Sequence, residues 1–556
     1  MNRSANSLFS NPNGTQVNSY LPPPDALSEL TLLSELPYYP FNEADPIFQF
    51  TCDELIGDRF PISKYPFDGF INFHSLKICS SNAKQMSKYL QLAMGFKEVA
   101  YRGLENDSRL VASHVVQNGS IFLEIVNTLE TIKDDNVLRF PYFEKDLSLF
   151  QKFDHDMSSY LEEFKITTED LVFDYVNNRI ESLSTNPLKS LRFGRHMYNT
   201  IIKSGGYKAV SREIEKIIVD AINDSELIYN DIMECTLIQK FLKNHAEGVM
   251  DIAFNVKSAD AIFQKAIQAG AGIIRLPRIL SDENGSVKLA TVTVPNTDIQ
   301  HTLIENIDYT GTFLPRYSES IMGLAQGYQE QLDALPAVHF TTIDHCVENY
   351  SWNQMISQAK IYANMFGFHK YWSVDEMDVS TGFTALRSIA MSSSNGQIKM
   401  PINEPVKSKF KGQIEEFNDF YGGPGVQHIA LRTNNIVQTV KALIQRGIEF
   451  NQASNQYYRN LQQRLAKDDV ELYEDIAEIM SLNILIDYDP TTRNKRTKKC
   501  HYILQIFSQP LHDRPTLFIE VIQRHHHNGF GKGTFKGLFE TIELQQRLRG
   551  TFVEVE

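Results

Sequence analysis

The 556-residue chain has little of what usually assigns a class early: two tryptophans, five cysteines and no CxxC pair. No apolar run approaches the ~18 residues that a spanning helix needs. Cys52, Cys79, Cys235, Cys346 and Cys500 are scattered and odd in number. A disulfide framework and a cysteine-based zinc site are therefore not expected, and a reducing compartment fits. The opening MNRSANSLFSNPNGTQ carries no apolar core of a signal peptide, so the expected location is cytoplasmic. There is no dense basic block, and 54 Lys+Arg stand against 68 Asp+Glu for a net charge of -14. Neither nucleic acid nor an anionic membrane is an expected partner. What is present, 42% hydrophobic and 22% charged residues, is ordinary globular composition.

Along the chain, residues 1–45 are rich in Ser, Asn and Pro and read as a flexible arm. From 46 to 316, GFINFHSLKI, a helical NAKQMSKYLQLAMGF and paired β-rich runs alternate as strand, helix, then strands. Residues 131–245 interrupt this pattern with charged, helix-favouring sequence such as AVSREIEKIIVDAIND, an expected helical insertion. A second domain over 335–556 replays the pattern from HFTTIDHCVEN to PTLFIEVIQR.

An internal repeat organises the whole. GVMDIAFNVKSADAIFQKAIQAG and GVQHIALRTNNIVQTVKALIQRG align without a gap, placing Gly248 with Gly425, Ala253 with Ala430 and Gly270 with Gly447. Strand-helix-strand modules repeated in each half predict an α+β fold of βαβββ units paired into two open barrels.

The copies differ in their chemistry. His428 aligns with Asp251, and His345 aligns with Ser75. Glu520 in TLFIEVI has an expected counterpart in Glu305 of TLIENI. Only the C-terminal half keeps two histidines and a carboxylate on strands of the repeat. Two neutral imidazoles and one carboxylate can take one face of an octahedral Fe(II), leaving three positions for a bidentate substrate and O2. Ordinary strand histidines are the plain alternative. A zinc hydrolase would usually show HExxH, which is absent. His525, His526 and His527 are consecutive, so they cannot readily converge on one ion and read as a solvated loop.

IDHCVEN, MPINEPVKSKFKGQIEEF, GPGVQHIAL, YYRNLQQRL, YILQIF, RPTLFIEVIQR and GFGKGTFKGLFETIE run in the order found in 4-hydroxyphenylpyruvate dioxygenases. The sequence resembles that family over nearly all of 335–550, and more weakly over 69–130 and 245–316. The resemblance implies two vicinal-oxygen-chelate domains with iron in the second. It implies His345, His428 and Glu520 as the iron ligands. It also implies Ser388, Asn403, Gln413, Gln427 and Gln505 as catalytic polar residues, and Phe507, Phe518, Phe530 and Phe535 as a substrate-binding aromatic wall. The implied reaction takes 4-hydroxyphenylpyruvate and O2 to homogentisate and CO2 in tyrosine and phenylalanine catabolism, by an enzyme expected to be a homodimer. A 4-hydroxymandelate synthase and a non-catalytic binding paralogue are the competing readings. Phe507 favours ring attack over the first, and the complete ligand set argues against the second. Thr534 stands where the family usually has Asn.

At the C-terminus, Phe535, Leu538, Phe539 and Ile542 fall on one helical stripe behind Gly529, Gly531 and Gly533. The expectation is a lid helix over the iron site.

Overall fold

The computed structural model describes residues 68–106, 108, 110–129, 234–235, 237–319, 326–374, 380–531 and 533–555. The expected arm over 1–45 and most of the 131–245 insertion lie outside the described residues; of the insertion, 237–245 are helical.

The first sheet is built from β1 (Phe70–Cys79), β2 (Lys97–Arg102), β3 (Val111–Asn118), β4 (Ile121–Thr128), β5 (Gly248–Val256), β6 (Gly272–Asp282), β7 (Gly285–Thr293), β8 (Gln300–Asn306) and β9 (Ser318–Glu319). The second holds β10 (Ile343–Asn349), β11 (His369–Val374), β12 (Leu386–Ser392), β13 (Lys399–Pro405), β14 (Gly425–Arg432), β15 (Leu485–Asp489), β16 (His501–Phe507) and β17 (Phe518–His525). The strand orders are β6-β7-β8-β5-β1-β4-β3-β2-β9 and β11-β12-β13-β10-β14-β17-β16-β15. Read from opposite ends, and leaving out the two-residue β9, the two orders are the same. The repeat in the sequence is therefore a repeat in space.

Local chemistry repeats with it. Helix Ala259–Gln268 starts at Ser258, whose hydroxyl accepts from Ala261 N. Helix Ile436–Gln445 starts at the aligned Asn435, whose side chain accepts from Gln438 N. Such a cap contributes about 1 kcal/mol. After each helix comes an aligned glycine with positive φ, Gly270 at 95° and Gly447 at 92°, where a side chain would strain the backbone. Of the three register shifts in β1, those between Phe73 and Ser75 and between Lys77 and Ile78 recur in β10, between Ile343 and His345 and between Val347 and Glu348. These are the same two places in the repeat. Bulges re-aim side chains, so both halves turn the same positions toward the same side.

The halves share one hydrophobic core. Phe70 of β1 packs edge-on against Phe254 at 5.5 Å and Phe366 at 5.4 Å. Within this seam runs a buried polar chain. His301 Nδ1 lies 3.1 Å from Ile252 O, and its Nε2 lies 2.8 Å from Tyr362 Oη. Tyr362 Oη lies 2.7 Å from Glu348 Oε1, and Tyr350 donates to Glu348 Oε2 at 2.8 Å. A carbonyl only accepts, so Nδ1 carries the ring proton and Nε2 must receive the one proton of Tyr362. The chain is then completed without a buried charge only when Glu348 is protonated and donates to Tyr362. Burial pushes the Glu348 carboxyl up to about 7 and the His301 ring down to about 4, in keeping with that count.

Candidate metal centre

Three adjacent strands of the second sheet bring the ligand set together. His345 pairs with Ala430 across β10 and β14, and Ala430 pairs with Glu520 across β14 and β17. His428 lies two residues before Ala430 on the same strand. All three side chains are buried, and their ligand atoms lie within 4.8 Å of one another. Among the described residues this is the only such cluster of His, Cys, Asp and Glu. His345 Nε2 is 3.1 Å and His428 Nε2 is 3.3 Å from Glu520 Oε2. Neighbouring ligands of an octahedral ion at about 2.1 Å stand about 3 Å apart, which these spacings match.

The surroundings prepare the donors. Asp344 Oδ1 holds His345 Nδ1 at 2.9 Å, and Gln427 Oε1 holds His428 Nδ1 at 3.0 Å. Both rings therefore offer Nε2 lone pairs to the centre. Gln505 Nε2 donates to Glu520 Oε1 at 2.8 Å, leaving Oε2 for the ion. Burial alone would raise Glu520, but His345 foremost and then His428 bring it to about 2. Burial lowers His428 and keeps it neutral. Burial would lower His345 too, yet Glu520 and Asp344 together raise it. The donor set fits a metal ion.

The residues expected to surround the ligands divide into two groups. Gln413, Gln427 and Gln505 join the site through hydrogen bonds, with Gln427 Nε2 donating to Gln413 Oε1 at 3.2 Å. Phe518 stacks on His428 at 4.8 Å and 21°, Phe507 meets the same ring edge-on at 6.0 Å, and Phe530 meets His345 at 4.9 Å. Ser388 and Asn403 are buried and face each other across β12 and β13. Asn403 donates to Asn349 at 3.1 Å, and no hydrogen bond joins either residue to the ligands. The side chain of Phe535 lies outside the described residues. Helix Phe535–Arg549 forms as expected, and Leu538 packs with Phe507 and Phe518. A cleft beside it is lined by Gln413, Gln427, Phe518 and Ile542.

Two expectations need correction. Glu305 is not the counterpart of Glu520. Asp251 pairs with Gln300 and Phe254 with Leu303, so the residue opposite Ala253 is Thr302. Glu305 lies three residues on and accepts from Ala259 N at 2.9 Å, at a helix start. Nor is 525–527 wholly a solvated loop. His525 ends β17, with Nε2 2.7 Å from Glu474, and His527 is partly buried. Thr534, the departure from the family's Asn, keeps a link inward: its hydroxyl lies 3.0 Å from Gln505 Oε1 and 2.7 Å from Gly531 O. Asp344 and Arg524 were not singled out in the sequence. An acid beside His345, and a cation four residues after Glu520 on the same strand face, were the available signals.

Fold and ligand set together define a metal-binding enzyme of the vicinal-oxygen-chelate type, two such domains in one chain with the metal donors in the second. Residues 342–470 match the model of the Glyoxalase/Bleomycin resistance protein/Dioxygenase superfamily. The chain is 37% identical to a 4-hydroxyphenylpyruvate dioxygenase of Aspergillus fumigatus, over 89% of this chain and 97% of that one. It is 36% identical to the protein so named in Coccidioides posadasii, over 85% and 92%. With that of Yarrowia lipolytica it shares 45% over 56% of this chain and 76% of the relative. A solved variant of 4-hydroxymandelate synthase from Streptomyces coelicolor superposes with a TM-score of 0.56 at 20% identity, covering 86% of this chain and 99% of that one, a likeness of fold. The chain belongs to the 4-hydroxyphenylpyruvate dioxygenase family.

Proposed function

We propose that the chain is an Fe(II)-dependent dioxygenase that converts 4-hydroxyphenylpyruvate and O2 to homogentisate and CO2. The observation that carries this reading is the convergence of His345, His428 and Glu520 in a chain 37% identical to a named enzyme over nearly its full length. Fe(II) on these ligands supplies open coordination positions for the keto acid and O2, and the redox capacity of the reaction.

The protein's part is placement. Glu520 is kept ionised, and Gln505 fixes which of its oxygens faces the centre. The amides of Gln413 and Gln427 offer hydrogen bonds without added charge, suited to a phenol or keto acid. Phe507, Phe518 and Phe530 form apolar walls against the two imidazoles and orient a ring while excluding water. Ser388 and Asn403 extend the polar lining in this proposal, and Phe535 the aromatic one. Helix Phe535–Arg549, seated on Phe507 and Phe518, serves as the lid.

The proposed domain limits are 46–316 and 335–556, with 131–245 inserted between β4 and β5; the pairing of the first sheet runs on to β9 at Ser318–Glu319. Among the described residues no helix is long and apolar enough to cross a membrane. A cytoplasmic homodimer completes the proposal, tested by fractionation and sedimentation. For the activity, protein loaded anaerobically with Fe(II) is given 4-hydroxyphenylpyruvate and air. Homogentisate by mass supports ring attack, 4-hydroxymandelate would identify benzylic oxidation, and no product would leave a binding role.

A further inference from the structure

β17 carries Glu520 and, two side chains further along the same face, Arg524. The Arg524 side chain is 5% exposed. Its Nε and Nη2 donate to the two oxygens of Asp344 at 2.8 Å each. Its Nη1 donates to His527 O at 2.9 Å and Gly529 O at 2.5 Å. Asp344 Oδ1, already holding one arm of this fork, also holds His345 Nδ1. One carboxylate thus joins a metal ligand to a guanidinium, and the guanidinium to the backbone ahead of the C-terminal helix. The Phe530 ring is wedged into the same joint, 5.5 Å from the guanidinium and 4.9 Å from the His345 ring.

A second line runs in parallel. Gln505 links Glu520 to Phe530 O at 3.4 Å and to the Thr534 hydroxyl at 3.0 Å. Thr534 is the first residue before helix Phe535–Arg549, and Leu538 N donates to Thr534 O. The turn from 527 to 534 is therefore gripped at His527, Gly529, Phe530 and Thr534 by groups that reach back to two of the three ligands. Gly531 within it has φ 86°, a backbone with no side chain of its own to pack.

The other half of the molecule lacks this device. With Thr302 at the place of Glu520, Asn306 stands at the place of Arg524. It closes a local turn, with Nδ2 donating to Tyr309 O and Oδ1 accepting from Tyr309 N. His74 stands at the place of Asp344. The strut occurs only where the ligands do.

We propose that Arg524 is a positioning residue that couples the orientation of His345 to the seating of the C-terminal helix, so that metal binding orders the turn at 527–534. The proposal rests on the reading of His345 and Glu520 as ligands. Coupling of this kind is reciprocal: a turn held open loosens the ligands as much as fixed ligands hold the turn. A guanidinium fork satisfies four acceptors in fixed directions, which a lysine ammonium cannot reproduce.

The test is hydrogen exchange of the full chain, chelated and then loaded anaerobically with Fe(II), in wild type, Arg524→Lys and Arg524→Gln. In wild type, one iron should bind, and exchange across 526–540 should slow by about tenfold or more, a coupling within the usual range. Arg524→Gln should bind iron about 10- to 100-fold more weakly and, at saturating iron, lose that local protection. Arg524→Lys should retain part of it. Wild type that binds iron without protecting 526–540 overturns the coupling, and so does Arg524→Gln with full metal-dependent protection. Should Arg524→Gln not fold, the wild-type and Arg524→Lys arms decide. Wild type that binds no iron overturns the ligand reading itself and the coupling with it.

Discussion

The two halves share a strand order, a pair of bulges and aligned helix caps, yet three facing positions read His345, His428 and Glu520 in one and Ser75, Asp251 and Thr302 in the other. The N-terminal trio is no abandoned gap. Thr302 donates to Asp251 through its hydroxyl at 2.5 Å and its N–H at 3.0 Å. Lys77, paired with Asp251 across the strands, lies 3.5 Å from Glu124. Glu124 also accepts from Ser113 at 2.7 Å and Tyr317 at 2.5 Å. Burial raises the Asp251 carboxyl, and Lys77 is the first group to oppose that rise. An ammonium thus supplies in one half the positive charge that a metal ion would supply at the donor set of the other. Val347 stands at the place of Lys77 in the second half and brings no charge of its own. A shared scaffold is indifferent to which cation closes it; the side chains at a few aimed positions decide.

The contrast can be broken most severely at the ligands. His345→Ala, His428→Ala and Glu520→Ala should each reduce homogentisate formation to background, since a three-ligand site has no spare donor; wild-type turnover in any of them contradicts the assignment. On the other side, Lys77→Met should destabilise the fold by about 3–5 kcal/mol, the usual cost of removing one partner from a buried ionic cluster. Denaturant unfolding reads that loss. Activity lost with stability unchanged would mean that the N-terminal cluster is part of the chemistry.

At the seam the halves differ again, Ile78 in one against Glu348 in the other. The folded state keeps the Glu348 proton to about 7, whereas the unfolded chain releases it near 4.5. Stability from this group is therefore complete below about 4.5 and falls as pH rises through about 7. Glu348→Gln keeps a donor toward Tyr362 and an acceptor for Tyr350 without titrating. Relative to that variant, wild type should lose on the order of 3 kcal/mol between pH 4.5 and 8. The opposing titration of His301 cancels in the difference. A constant difference across that range would refute the shared-proton chain. The smallest expected effect is at Gln505: Gln505→Ala should weaken iron binding by about 10- to 100-fold, the cost typical of a residue that orients a ligand, as read by competition with a chelator.

Much of this was legible in the sequence because the repeat aligns without gaps over β5 and β14, so that Asp251 against His428 could be read directly. The equivalence of Ser75 and His345 is borne out by their pairing with the aligned Ala253 and Ala430. Glu305 misled because TLIENI and TLFIEVI share letters, while strand register, which a string match does not contain, sets Thr302 against Ala253. A slip of three residues also reverses the face, since strand side chains alternate. Arg524 was hidden for a related reason. Its importance comes from Asp344 on β10, a strand remote in sequence, and the cue in each residue gains meaning only once the fold brings the two together.

The central claim is that one half of a duplicated scaffold holds a metal and the other an internal cation. Iron analysis of the full chain after anaerobic Fe(II) loading and removal of excess metal tests it most directly. The account predicts one iron per chain, lost in His345→Ala, His428→Ala or Glu520→Ala and retained in Asp251→Asn. Two irons per chain, or one iron that survives loss of a ligand in the second half and disappears with Asp251→Asn, would contradict it.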